Sequence, residues 1–212
     1  MSKLQLHFDF RRLDAVIITH LHADHHLDLF CLAHAIRGSL RDGSRKMPLP
    51  VFIPEKPLDS FGKLARYKDE FAVQTYSQLS LKDKKPSLYI GSLEFNFMET
   101  GHPIPTYAVC AQGPKKFVYS ADTAISEELV AFSRGADLLL CEASLTNEDI
   151  EYTKVGHLTA GQAGETANRA GVKKLVLTHF WPEYDLEMLK EQARQCFRGP
   201  VELAREGELY NI

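Results

Sequence analysis

The stretch Thr19-His20-Leu21-His22-Ala23-Asp24-His25 constrains this chain more than any other. Three imidazoles and a carboxylate fall within six residues, directly after the apolar, mostly β-branched run Ala15-Val16-Ile17-Ile18. Such a run reads as a buried strand. A helical pattern takes over from His26 to about Arg37, which puts the charged cluster on the turn between the two. Alternate residues of an extended segment point the same way, so His20 and His22 are aimed together. Asp24 and His25 lie where the chain bends and can face a second point. One short loop can therefore begin two metal sites. Imidazole nitrogen and carboxylate oxygen are the donor set of zinc, with manganese and iron as alternatives.

The remainder of the chain offers a body for such a site. Its 212 residues, 44% hydrophobic and 25% charged, suffice for one sizeable domain with a real core. The net charge of −3, with no long basic block, argues against a protein held to nucleic acid by bulk charge. No apolar stretch approaches the roughly 20 residues of a membrane span, and the first residues lack a signal-peptide pattern, so no membrane partner and a cytoplasmic location are expected. Cys31, Cys110, Cys141 and Cys196 are scattered without a C-x-x-C pair and read as free thiols. There is no repeat and no linker, so a single domain over 1–212 is expected.

Along the chain, a short helix is predicted within Lys3–Phe10. On the helix ending near Arg37, Leu27, Phe30, Cys31, His34 and Ala35 recur at helical spacing, which predicts a packed His34. Arg41–Lys46 reads as an exposed basic turn. Val51–Ile53 is a strand, and Leu58–Phe71 a helix. Residues 73–100 read as strands with turns at Lys82–Ser87 and Gly91-Ser92, ending at Thr100-Gly101-His102-Pro103. Tyr107–Ala111 pairs with Lys116–Tyr119, and Ser120-Ala121-Asp122-Thr123 follows. Ser126–Ser133 is helical and Asp137–Cys141 a buried strand, with Glu142 next to it. Thr159 opens a helix to about Ala170, stopped by Gly171. Strand Leu175–Leu177 leads straight into Thr178-His179. Helix Asp185–Phe197 and strand Val201–Ala204 close the chain.

The chemically capable residues share a placement. His20 and His22, His102, Asp122 and His179 each follow an apolar strand and open a loop, and such strand-end loops gather into one cleft in sheets covered by helices. Six of the nine histidines (20, 22, 25, 102, 157 and 179) stand at junctions of this kind. From H-x-H-x-D-H to Thr178-His179 the chain resembles the metallo-β-lactamase superfamily of metallohydrolases over nearly its full length. Tyr119-Ser120-Ala121-Asp122-Thr123 and His157-Leu158-Thr159 are similar to its ribonuclease Z-like phosphodiesterase branch. The resemblance implies an α/β (α+β) four-layer αββα sandwich binding two divalent metal ions, zinc first and manganese or iron as alternatives. It implies His20, His22 and His102 at one metal, Asp24, His25 and His179 at the other, and Asp122 bridging both. Asp24 would also orient a metal-bridging hydroxide, and His157 would face the substrate phosphate. A homodimer is implied by the same branch. Glu142 would hold an imidazole in orientation or lie on the surface.

Three departures refine the expectation. Only 19 residues precede His20, so the first N-terminal strands of the fold are apparently lacking, and Met1 is expected to be an internal start. Only 19 residues separate His102 from Asp122, too few for the arm with which tRNA-maturing relatives grip substrate. Those relatives carry a carboxylate three residues before the bridging aspartate, paired with the histidine matching His157; here Tyr119 takes that place. A small phosphodiester or a short nucleic-acid end is the expected substrate. A lactone, ester or thioester hydrolase of the same fold is the alternative, since one hydroxide serves both chemistries. An iron-dependent redox protein and a non-catalytic scaffold are further rivals. The helix opening at Thr159 favours phosphate, because helix N-termini attract anions.

Overall fold

The apolar run before the histidine cluster forms the strand β1 (Val16–Ile17), shorter than its four-residue pattern. The computed structural model describes residues 1–212, and their contacts divide the chain into two units, Met1–Leu81 and Lys82–Ile212. In the first unit a short helix α1 (Leu4–His7) precedes β1, and β1 pairs in parallel with β2 (Leu49–Ile53), Val16 opposite Val51. β2 pairs in turn with β3 (Phe71–Thr75), giving a three-stranded parallel sheet ordered β1-β2-β3. Between β1 and β2 run α2 (Ala23–His26) and α3 (Asp28–Arg41), joined through Leu27, which itself has helical dihedrals. The helix therefore starts three residues earlier than predicted, with His22 as its N-cap residue. Asp24 and His25 lie in its first turn, where a carboxylate complements the helix dipole.

The buried face of α3 is Leu29, Leu32, Ala33 and Ile36, spaced three, one and three residues apart. These side chains pack with Ile18, Leu49, Val51 and Phe71 into the first unit's core. The predicted stripe was the wrong one of two. Leu27, Cys31 and His34 face solvent, so His34 is not packed. Helix α4 (Leu58–Leu64) is also shorter than predicted, because Phe71 is claimed by the sheet opposite Leu49. In the basic turn, Arg45 is committed to structure: its guanidinium donates to the carbonyls of Arg11, Leu13 and Met47.

The second sheet has eight strands in the order β11-β10-β9-β8-β7-β6-β5-β4. Its antiparallel part comprises β4 (Ser80–Lys82), β5 (Lys85–Ile90), β6 (Leu93–Glu99), β7 (Tyr107–Gln112) and β8 (Lys116–Tyr119). The turn predicted at Lys82–Ser87 narrows to Asp83-Lys84, both at positive φ. Strands β9 (Leu138–Glu142), β10 (Leu175–Thr178) and β11 (Val201–Leu203) add on in parallel, with Thr178 opposite Glu142. Helices α5 (Glu127–Ser133), α6 (Ala160–Ala170) and α7 (Leu186–Cys196) connect them. Leu139, Cys141, Leu175 and Leu177 form the floor of this unit's core, with Ala163 and Ala167 of α6 and Leu189 and Ala193 of α7 over it. A 3₁₀ segment at Asn147–Val155, not predicted, ends at Gly156 in the left-handed region. No helix is long and apolar enough to cross a membrane.

Candidate metal centre

In the first unit the candidates gather where β1 gives way to α2. The rings of His20 and His22 lie 4.9 Å apart edge to face, and those of His20 and His25 only 3.9 Å apart. Asp24 Oδ2 is 3.2 Å from His25 Nε2. His20 is fully buried, whereas the Asp24 side chain is two-thirds exposed. His26 is adjacent in sequence but spends Nδ1 on the His22 carbonyl at 2.8 Å.

In the second unit His102, Asp122, His157 and His179 come together at strand ends. Asp122 is buried, and its two oxygens face different imidazoles: Oδ1 is 3.7 Å from His179 Nε2 and Oδ2 is 4.0 Å from His102 Nε2. Both separations exceed hydrogen-bond length. Two donors each about 2.0–2.2 Å from one cation stand roughly 3.4 Å apart at the tetrahedral angle, and farther as the angle opens. The spacing thus suits ligands that share a cation.

The protonation pattern fits as well. His102 Nδ1 is 2.9 Å from the Gly156 carbonyl, an acceptor only, so this nitrogen carries the proton and Nε2 keeps its lone pair. Metal-ligating histidines are oriented in this way. The loop holding Asp122 is tied to the His102 loop by Thr100, whose hydroxyl donates to the Asp122 carbonyl at 2.7 Å. Backbone strain marks the same points: Ala121 and His179 both hold φ near +55°, at +52° and +59°. Such conformations cost about 1–3 kcal/mol and persist where the surroundings over-determine them.

Glu142 is neither a surface residue nor a ligand. It is wholly buried and accepts from the Thr123 amide at 2.6 Å, from the Ser144 hydroxyl at 2.6 Å and from His157 Nδ1 at 3.1 Å. The pairing partner that Tyr119 cannot supply to His157 is therefore provided by the end of β9. Ser144 and Gly156 were not singled out from sequence. Their only signal is position, beside a carboxylate or histidine that closes an apolar strand. Cys141 lies under this point with its thiol pushed up to about 12 by burial, so it is packing rather than chemistry.

Asp122, His157 and His179 offer donor atoms within 4.8 Å of one another. With Nδ1 given to Glu142, His157 keeps Nε2 for a ligand or a substrate. The anion site expected at the start of α6 is not available. Its first amides are already bonded: Ala160 to the Leu145 carbonyl, Gly161 to Asn147 Oδ1, Gln162 to Thr159 Oγ1 and Ala163 to the Thr159 carbonyl. The Thr159 to Gln162 capping box consumes what a phosphate would need.

Residues 3–180 match the family model of the beta-lactamase superfamily domain, a match that runs across both units. The probable metallo-hydrolase YhfI of Bacillus subtilis is 31% identical over 209 residues, 98% of this chain and 82% of that protein. Its crystal structure superposes with a TM-score of 0.87, at 29% identity, covering 99% of this chain and 82% of that one. The ribonuclease Z of Archaeoglobus fulgidus is 28% identical over 91% of this chain and 78% of its own length. Human tRNase Z, short form, shares the fold with a TM-score of 0.73 at 22% identity, covering 100% of this chain and 84% of that one. The chain belongs to the metallo-β-lactamase superfamily and is a mixed α/β metal-dependent hydrolase.

Proposed function

We propose that this protein hydrolyses a small phosphodiester or a short nucleic-acid end at a pair of divalent metal ions, zinc in the first place. His20, His22 and His102 would hold one ion, Asp24, His25 and His179 the other, and Asp122 both. The observation carrying this reading is the Asp122 carboxylate, which turns one oxygen toward His102 and the other toward His179. A carboxylate shared between two cations offsets their repulsion, which an imidazole cannot do. The ribonuclease Z relative supports a phosphodiester, and the short His102–Asp122 interval supports a small one. When bound, the metal ions polarise the phosphoryl oxygens and bring the pKa of water toward about 7. Asp24 would ligate and orient the attacking water. His157, steadied at Nδ1 by Glu142, would use Nε2 to bind a phosphoryl oxygen or protonate the leaving oxygen.

The test is cleavage of bis(p-nitrophenyl) phosphate by full-length protein loaded with Zn²⁺ or Mn²⁺, beside lactone and thioester substrates at equal metal content. His22→Ala and Asp122→Ala should abolish turnover. His157→Ala should lower it about 10²–10⁴-fold with both metals retained, the usual contribution of a positioned acid–base group. Wild-type rates from Asp122→Ala, or turnover of lactones alone, would overturn the reading.

A further inference from the structure

We propose that Glu142 is a positioning residue that sets the tautomer of two active-site histidines at once, His157 directly and His179 through the Ser144 hydroxyl. The proposal rests on the dinuclear reading above. Its geometry lies wholly within the second unit.

Ser144 Oγ has one proton and three close partners. It lies 2.6 Å from Glu142 Oε2, 2.7 Å from His179 Nδ1 and 3.0 Å from the His179 carbonyl oxygen. Glu142 accepts the backbone amide of Thr123 on its other oxygen, where only an acceptor can serve. The carboxylate is the stronger acceptor, so the hydroxyl proton goes to it. Ser144 Oγ must then accept from His179, which puts the imidazole proton on Nδ1 and leaves the Nε2 lone pair for a cation. That Nε2 is the atom facing Asp122. His157 Nδ1 meets the same carboxylate and is a donor for the same reason.

One buried anion thus fixes the polarity of a chain running from Thr123, next to Asp122, to His157 and His179. The same glutamate's backbone amide donates to Ser120 Oγ at 2.9 Å, and that hydroxyl donates to the carbonyl of the strained Ala121. A carboxylate is required rather than any polar group. In Glu142→Gln the amide oxygen can keep the Thr123 contact, but its NH₂ faces Ser144. The hydroxyl then accepts from the amide and turns its proton to His179, where Nδ1 and the carbonyl oxygen compete for it. The share that reaches Nδ1 puts His179 in the Nε2–H tautomer, which cannot bind a cation without losing that proton. The polarity of the relay is no longer fixed, at nearly constant shape.

Two readouts on the full-length chain test this: Co²⁺ titration followed by its d–d absorption, and ¹⁵N NMR of the imidazoles before metal is added. Glu142→Gln should weaken one of two Co²⁺ ions about 10–100-fold, the usual cost of losing such a partner. The other ion should stay within about threefold, and the Nε2–H form of His179 should appear beside the Nδ1–H form. Ser144→Ala, which leaves the carboxylate in place, should produce the same one-site loss with the His157 tautomer unchanged. If either variant binds both ions as tightly as wild type and keeps the His179 tautomer, the relay is wrong and Glu142 is structural. Should wild-type protein bind fewer than two ions, the dinuclear reading fails, and the tautomers alone decide this proposal.

Discussion

At the scale of single residues, the candidate centre depends as much on backbone as on ligands. Gly156 shows this. Its carbonyl takes the His102 Nδ1 proton, and its φ of +86° is one that a side chain adopts only with strain. An added Cβ would come within 2.9 Å of the Gly101 carbonyl oxygen, of His102 Cα and of Pro103 Cδ. Strain of about 1–2 kcal/mol for the left-handed conformation adds to about 1–3 kcal/mol for overpacking. Gly156→Ala should therefore lower Tm by about 4–20 °C, using roughly 2–4 °C per kcal/mol for a chain this long. Because the crowding falls on the His102 loop, metal affinity should also drop about tenfold or more. Thermal melts of the metal-free protein and a metal titration would check both. An unchanged melt would show that the loop yields without cost.

Among the elements, the same substitution should act with opposite sign on two helices. In α6, a Cβ on Gly164 would lie 2.4 Å from the Ala193 carbonyl oxygen and 3.1 Å from its Cα, because α6 and α7 meet there backbone to backbone. Alanine gains about 1 kcal/mol of helix propensity over glycine, less than the cost of parting two packed helices. Gly164→Ala should thus destabilise by about 1–2 kcal/mol. Gly38, inside α3, has nothing within 4 Å of its added Cβ, so Gly38→Ala should stabilise by about 1 kcal/mol. Urea denaturation of the two variants would settle both signs. Strand entry carries its own prediction: Asp137 accepts from the Lys116 amide and Lys173 Nζ, each at 2.8 Å, and its carboxyl is held down to about 2, chiefly by Lys173. A depressed carboxylate contributes its full stability above the ordinary value near 3.8 and loses it as pH falls toward 2. Asp137→Asn should flatten the stability curve between about pH 4 and 2 relative to wild type, as read by denaturation at each pH. These elements also show how far the sequence could be read. Histidines that close apolar strands were legible, because alternation and strand ends are local patterns. The buried stripe of α3 was not, since two apolar stripes compete on that helix and only the sheet beneath chooses between them. The start of α6 looked like an anion site for the same reason: Thr159 and Gln162 cap it from nearby, but Asn147 reaches it across the 3₁₀ segment. Glu142 sat beside an apolar strand with no pattern to show that three donors converge on it.

For the whole molecule, charge separates a small substrate from a long one. The chain carries 25 basic and 28 acidic side chains, a net −3 with histidines neutral. Arg45, in its most basic turn, is engaged with backbone carbonyls. A protein that grips an RNA over many phosphates releases counterions at each, and its affinity falls with a slope near −0.7 per phosphate for single strands. With six to ten such contacts, binding weakens roughly 300- to 16,000-fold between 50 and 200 mM salt. A centre that handles one or two phosphates through metal ions and His157 should lose less than about tenfold over that range. Measuring KM for a dinucleotide and for a tRNA precursor against salt therefore tests the substrate class without knowledge of the natural substrate. The expected result is a shallow slope for the dinucleotide, with no gain in kcat/KM for the longer RNA at low salt. A steep slope together with a large preference for the precursor would mean that the surface binds RNA in spite of its acidic balance, and the small-substrate reading would be withdrawn.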